Sequence, residues 1–392
     1  MTSRKQPLHS LNTLALAALC SALLGACGGS SDNEETSEPV AISSVTVIGD
    51  SLSDIGTFGI RHTVQSASGV PNPLWTDLLT RATDAPEPCS YYLASSASSF
   101  NQRAGCTNYA VAGGRIQAPD AAQPTSILLQ MQHARQAAGA AGFGAQDLLL
   151  LDGGGNDAAD LIEAYIALLL SGATQPTPDV ASYAAFLQNV LGETATWALL
   201  QSGEHGAEAA AQAYMKALAE RFAAAIQEQL LDAGAQRIAV LNIPDVTRTP
   251  RFQPLLQLLT LAAGPEAAAQ AQQLLQGWLT AFNAQLDSAF ASHPHVIVVD
   301  AFAQLGMWAE DASRFGFTNA RDAVCPEASP ATPLPSYDIT QCTDSYLDAH
   351  APAGAATGWW QAYAFADGFH PTPKGHAVMA QAVAEAMQAK GW

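Results

Sequence analysis

The chain has 392 residues, 48% hydrophobic and 13% charged, a balance that suits a globular protein of one large or two small domains. Sixteen basic residues against 35 acidic ones leave a net charge of −19. Such a surface repels phosphate backbones and anionic membranes, which argues against a nucleic-acid partner and against charge-driven lipid binding, but not against a lipid-binding groove.

The first residues read as a targeting segment. Arg4 and Lys5 precede an apolar run from Leu11 to Leu24, too short to span a bilayer comfortably and suited to a signal-peptide core. The run ends in Leu24-Gly25-Ala26-Cys27, which looks like a bacterial lipobox, whose cysteine is lipidated and becomes the mature N-terminus. Residues 1–26 are therefore expected to be a signal peptide, and 27–44 a lipidated flexible tether, poor in large apolar residues from Gly28 to Pro39. Gly28 in place of an aspartate suggests sorting to the outer membrane. The alternative is an ordinary signal peptide cut near Ala26, an incidental Cys27 and a secreted product.

The expected catalytic domain runs over 45–392. Val45–Gly49 is β-branched and reads as a buried strand. The turn Gly49-Asp50-Ser51-Leu52-Ser53-Asp54 follows it, so Ser51 is expected at a strand's carboxyl end, where open α/β sheets bind ligands. Alone this is a weak signal, since Gly-Asp-Ser is also ordinary turn chemistry. Residues 60–106 are rich in Ser, Pro and Ala and read as a loop insertion. Asn108–Val111 offers a short extra strand, and Ser126–Gly139 a helix. Asp147–Gly153 reads as a strand, running into Asn156-Asp157 and a helix over Ala158–Leu170. Helices are expected over Ala207–Ala233 and Pro265–Phe290, and strands over Arg237–Ile243 and Val296–Asp300. Residues 310–365 read as a second insertion. It ends in Trp359, Trp360, Tyr363 and Phe365, which either line the substrate site or pack the loop onto the core. A last helix starts near Thr372, a capping residue with Pro373 behind it. Strands alternating with helices imply an α/β domain with a mainly parallel sheet covered on both faces.

Asn108-Tyr109-Ala110-Val111-Ala112-Gly113-Gly114, the run Leu148 to Asp157, and Asp367-Gly368-Phe369-His370-Pro371-Thr372 join the Gly-Asp-Ser turn. In this order the four segments resemble the sequence blocks of the GDSL, or SGNH, family of serine hydrolases. The resemblance covers the chain from about Val45 to its end. It implies a three-layer α/β/α, flavodoxin-like fold. It also implies Ser51 as nucleophile, Asp367 and His370 as the rest of a triad, and Gly113 and Asn156 as oxyanion donors beside the Ser51 N–H. Gly113 is the family's glycine because it falls five residues after Asn108.

The residues taken by themselves are consistent with this chemistry. Ester hydrolysis needs a nucleophile, a base, an orienting acid and donors for the developing oxyanion. Asp367, three residues before His370, can reach the imidazole nitrogen facing away from Ser51. Each residue also has a plainer reading: His370 as a core or capping residue, Asn156 and Asp157 as a helix cap, Asp367 as a cap of the last helix. Asp54 and Asp157 are expected to hold turns, and His376 to be an ordinary helix residue. The order Ser, Asp, His also fits α/β-hydrolases, but their Gly-x-Ser-x-Gly elbow is missing. No metal-binding, phosphate-loop or dinucleotide motif is present, so neither metal nor cofactor is expected. The substrate is expected to be a carboxylic ester, small or lipid. Carbohydrate O-deacetylase, phospholipase or acyltransferase activity, and a silent surface lipoprotein, are the alternatives.

An exported protein meets an oxidising compartment. With Cys20 lost with the signal peptide and Cys27 lipidated, Cys89, Cys106, Cys325 and Cys342 remain. Three connectivities are open, and the local pairs Cys89–Cys106 and Cys325–Cys342 are the economical ones.

Overall fold

Four apolar runs build one parallel sheet. In the computed structural model, Ser44–Ile48, Asp147–Leu151, Ile238–Leu241 and Val296–Val299 pair in that order. One row of the sheet reads Thr46, Leu149, Ile238, Val296. The structure describes residues 41–96, 98–170, 178–329 and 334–392, all within the unit Pro39–Trp392. Cys27, the expected signal peptide and most of the expected tether lie outside the described residues.

Asn108 lies beside the outer edge of the first strand. Val47 N–H donates to Thr107 O (2.9 Å), Tyr109 N–H to Val47 O (2.7 Å) and Val111 N–H to Gly49 O (3.2 Å). The expected short strand is thus a bridge at Asn108 with ladder-like bonds on both sides of it. Counting it second in chain order, the spatial order is 2-1-3-4-5, the flavodoxin-like arrangement. The chain reverses its direction of winding at the first strand. The crevice at that reversal opens at the carboxyl ends of the first and third segments, where Ser51 and Asn156 stand.

Strand side chains alternate between two apolar layers. Ile48, Leu149, Leu151, Ile238, Val240 and Val296 face one layer. It is filled by Ile127–Ala138, Gly155–Leu170, Gly206–Ile226 and Pro265–Phe290. Val45, Val47, Leu148, Leu150, Ala239, Leu241 and Val299 face the other, against Trp75 and Leu79 of Trp75–Arg81 and the last helix, Pro373–Ala389. Because both faces are covered, the strands are largely continuous apolar runs, with Thr46 the buried polar exception in the first. The last helix starts as its sequence dictates: Thr372 Oγ1 accepts the Gly375 N–H at 3.2 Å, and Pro373 occupies the first turn.

The two stretches read as insertions differ in kind. Residues 60–106 contain Trp75–Arg81, whose fully buried Trp75 covers the sheet, so part of this stretch belongs to the layers. The rest forms a hairpin of Tyr92–Ser96 and Ser99–Gln102, with Cys89 and Cys106 at bonding distance, their Cα atoms 4.8 Å apart. The second stretch packs a small core from Val324, Cys325, Cys342, Leu347 and Trp360, joined by Val64 of the first stretch and Ala366, with Trp359 and Tyr363 against it. There Cys325 and Cys342 stand at bonding distance, Cα atoms 4.9 Å apart.

Candidate active site

The Gly-Asp-Ser turn folds on its own carboxylates. Asp50 O accepts the N–H groups of Ser53 and Asp54, and Asp50 Oδ1 accepts that of Leu52 at 3.0 Å. Asp54 Oδ1 takes the N–H groups of Gly56 and Thr57 (2.9 and 2.7 Å), while its Oδ2 takes that of Ala112 (2.8 Å). One buried aspartate thus ties the Ser51 turn to the loop that carries Gly113. Asp157 does the same on the other side, accepting from Ile116 (3.0 Å) and Gln117 (2.8 Å) and fixing that loop to the start of the helix holding Asn156. Asp54 holds the Ser51 turn, as expected, whereas Asp157 bonds the neighbouring loop rather than its own turn; both join the sequence blocks to one another.

Ser51 Oγ lies 2.7 Å from His370 Nε2. His370 Nδ1 lies 2.7 and 2.8 Å from the two oxygens of Asp367. Asp367 Oδ1 also accepts the backbone N–H groups of Phe369 and His370, at 2.9 and 2.8 Å. Burial pushes the Asp367 carboxyl up, but the facing imidazolium and these donors outweigh it and hold it at about 2. His370 is raised above 6.5: burial works against its charge, and Asp367, then Asp50, overcome that. The loop is held by the second stretch, where Ala366 O accepts N–H groups of Val324 and Cys325, and by the Ala366 N–H donating to His370 O.

Asn156 sits in the first turn of Gly155–Leu170, a helix that starts before the expected Ala158. Its amide donates to Gly114 O (3.0 Å) and Asp50 Oδ2 (3.3 Å), both outside the helix. Gly113 adopts φ 79°, which favours glycine; a Cβ there would meet only Arg115 at an ordinary 3.6 Å. Within the protein, the requirement for glycine at this position is conformational. Among the described residues neither the Ser51 nor the Gly113 N–H has a hydrogen-bond acceptor, whereas the Gly114 N–H is used by Val111 O. A Cβ on Gly114 would come within 2.7 Å of Gly49 O, so that glycine brings the two loops together.

Two residues near Ser51, Asp152 and His62, escaped the sequence reading. Asp152 accepts the Asp50 N–H at 2.9 Å and the Ser53 hydroxyl, which in turn accepts from Trp75 Nε1 at 3.0 Å. Burial first, and the charge of Asp152 second, push the Asp50 carboxyl well above its ordinary range. An aspartate closing an unbroken leucine run was the available signal for Asp152. His62 packs its ring 4.7 Å from that of His370, and burial followed by the His370 charge pushes it down to about 4. No local pattern marks His62. His376 is a helix residue, as expected, and fully buried.

Ser51, Asn156 and His370 line one cavity at the sheet's carboxyl edge. Of the four aromatics at the end of the second stretch, only Phe365 reaches it; Trp359, Trp360 and Tyr363 pack within that stretch.

A family profile described as "GDSL-like Lipase/Acylhydrolase" matches residues 45–383, most of the chain. The chain belongs to this family. It is a GDSL-type ester hydrolase, and its three-layer fold with a parallel sheet fits that assignment. Among solved structures, a phospholipase A1 from Streptomyces albidoflavus NA297 is similar at 14% identity and a TM-score of 0.36, covering 88% of this chain and 100% of that one. No curated protein matches the chain.

Proposed function

We propose that this GDSL hydrolase is an exported serine esterase that cleaves carboxylic esters through Ser51, His370 and Asp367. The observation that carries the reading is the continuous chain from Ser51 Oγ through His370 to Asp367, with contacts of 2.7 Å on both sides of the imidazole. His370 takes the Ser51 proton as Oγ attacks the ester carbonyl carbon. The carbonyl oxygen becomes negative and is held by the Ser51 and Gly113 N–H groups and the Asn156 amide. For Asn156, the 3.3 Å bond to Asp50 is the longer of its two and the one that gives way. The tetrahedral centre then expels the alcohol, to which His370 returns the proton. Water, deprotonated by His370, attacks the acyl-Ser51 ester, and the carboxylic acid leaves with Ser51 reprotonated. Asp367 keeps the imidazole in one tautomer and stabilises its cation throughout.

The test is turnover on p-nitrophenyl acetate and its longer homologues by the purified protein without added metal. Hydrolysis across the series is expected; inertness toward every ester, with the protein folded, contradicts the reading.

Export rests on the basic start, the apolar run and Cys27. We read the protein as lipidated at Cys27 and tethered to the outer membrane by the stretch that precedes the domain. No helix among the described residues is long and apolar enough to cross a membrane.

A further inference from the structure

The cavity that opens at Ser51 does not stop there. It continues across the carboxyl edge of the sheet, past Leu241 and Val299, and runs between the sheet and two helices, Ala301–Glu310 and Pro373–Ala389. Leu305, Trp308, Met379 and Ala382 line this inner part. Gln304 also lines the cavity, and two of the other polar groups along the way are used inside the protein. Asp152 accepts from Asp50 and Ser53, and Asn242 donates to Asp300 and accepts from Phe302. A gap between apolar layers costs stability in proportion to its size. A fold keeps one where a ligand repays that cost, and here the gap opens at the nucleophile.

We propose that this space is an acyl-chain tunnel, which holds a straight fatty acyl chain running from Ser51 beneath the last sheet strand toward Ala382. The inference deepens the esterase reading and rests on it for the position of the reacting carbonyl. The order of the chemistry selects the acyl part rather than the alcohol. The alcohol leaves first and needs an open path, while the acyl group stays bonded to Ser51 until water arrives. The enclosed side suits the group that stays. Its length can be bounded. Ala382 stands nine residues beyond Pro373, roughly 14 Å along the helix at ~1.5 Å per residue. An extended chain zigzags and advances only ~1.25 Å per C–C bond along its axis, so about twelve carbons span that distance. Ala382 is itself half-buried, so the far end approaches the surface.

The experiment compares kcat/KM for p-nitrophenyl esters from acetate to palmitate, in the wild type and in Ala382→Trp and Leu305→Ala. A second series uses acetate esters of alcohols of rising length. In the wild type, kcat/KM should rise about threefold to fourfold per added acyl methylene and level off near twelve carbons. Ala382→Trp should lower the decanoate-to-acetate ratio by tenfold or more, and Leu305→Ala should move the plateau to longer chains. A flat acyl series in an active enzyme overturns the tunnel. So does a plateau that Ala382→Trp moves in the alcohol series instead. A separate measurement does not depend on turnover: decanoate should raise the melting temperature of Ser51→Ala, acetate should not, and adding Ala382→Trp should abolish the rise. That result in a protein inert toward all esters would keep the tunnel and refute the esterase reading. The absence of any decanoate effect would overturn the tunnel.

Discussion

His370 carries the pH dependence of the proposed reaction. It must be neutral to accept the Ser51 proton, and burial alone would favour that state. The Asp367 carboxylate, bonded at 2.7 Å, more than reverses the effect and raises His370 above 6.5. The acid limb of kcat/KM is therefore expected above pH 6.5, and Asp367→Asn should move it downward while lowering the rate. A limb at or below 6.5 in the wild type would contradict this electrostatic account. The same pair contributes to stability with the sign of a depressed carboxylate. Asp367 is held at about 2 against an ordinary 3.8, so its contribution is present above 3.8 and is lost as pH falls toward 2. Beside this pair, His62 stays neutral and adds no charge to the ring it packs against.

Each site residue sits where an element ends, and that is why the elements matter. Asn156 is the sharpest case, because its place in the first turn of Gly155–Leu170 also suits a structural residue. Its amide donates to Gly114 O and Asp50 rather than to its own helix. As an oxyanion donor, its change to alanine should lower kcat by about 10²–10³-fold with little change in KM. As a structural residue alone, the same change would cost about 1 kcal/mol of stability and leave kcat nearly intact. Measuring kcat and melting temperature on Asn156→Ala separates the two. The elements carrying the site were legible because buried parallel strands are apolar runs and their carboxyl ends hold the polar turns. Trp75–Arg81 was not, being short, preceded by Leu74 in place of a capping residue and lying in a Ser- and Pro-rich stretch. Gln253–Ala263 and Ala301–Glu310 were equally hidden: the first leaves Leu258 and Leu261 exposed, so no clean apolar face marks it. Position 62 and the inner cavity depend on contacts between segments hundreds of residues apart, which spacing does not encode.

At the scale of the whole molecule, the sheet order places every block at one edge. The chain winds outward to Asn108, then back across the first strand to Asp147, and the crevice of that reversal receives Ser51 and Asn156. The last helix then brings the Asp367–His370 loop across from the far end of the chain. A net charge of −19 suits the proposal that the protein is held near a membrane by a lipid on Cys27 rather than by charge. Cys27→Ser should release active enzyme from the membrane fraction; equal retention of the variant would contradict lipid anchoring. The central claim, that Ser51 is the nucleophile, has its most direct test in peptide mass mapping after treatment with a serine-directed phosphonate. One adduct, on the peptide containing Ser51 and accompanied by loss of ester hydrolysis, is the predicted result. An adduct on another serine, together with full activity in Ser51→Ala, would contradict it.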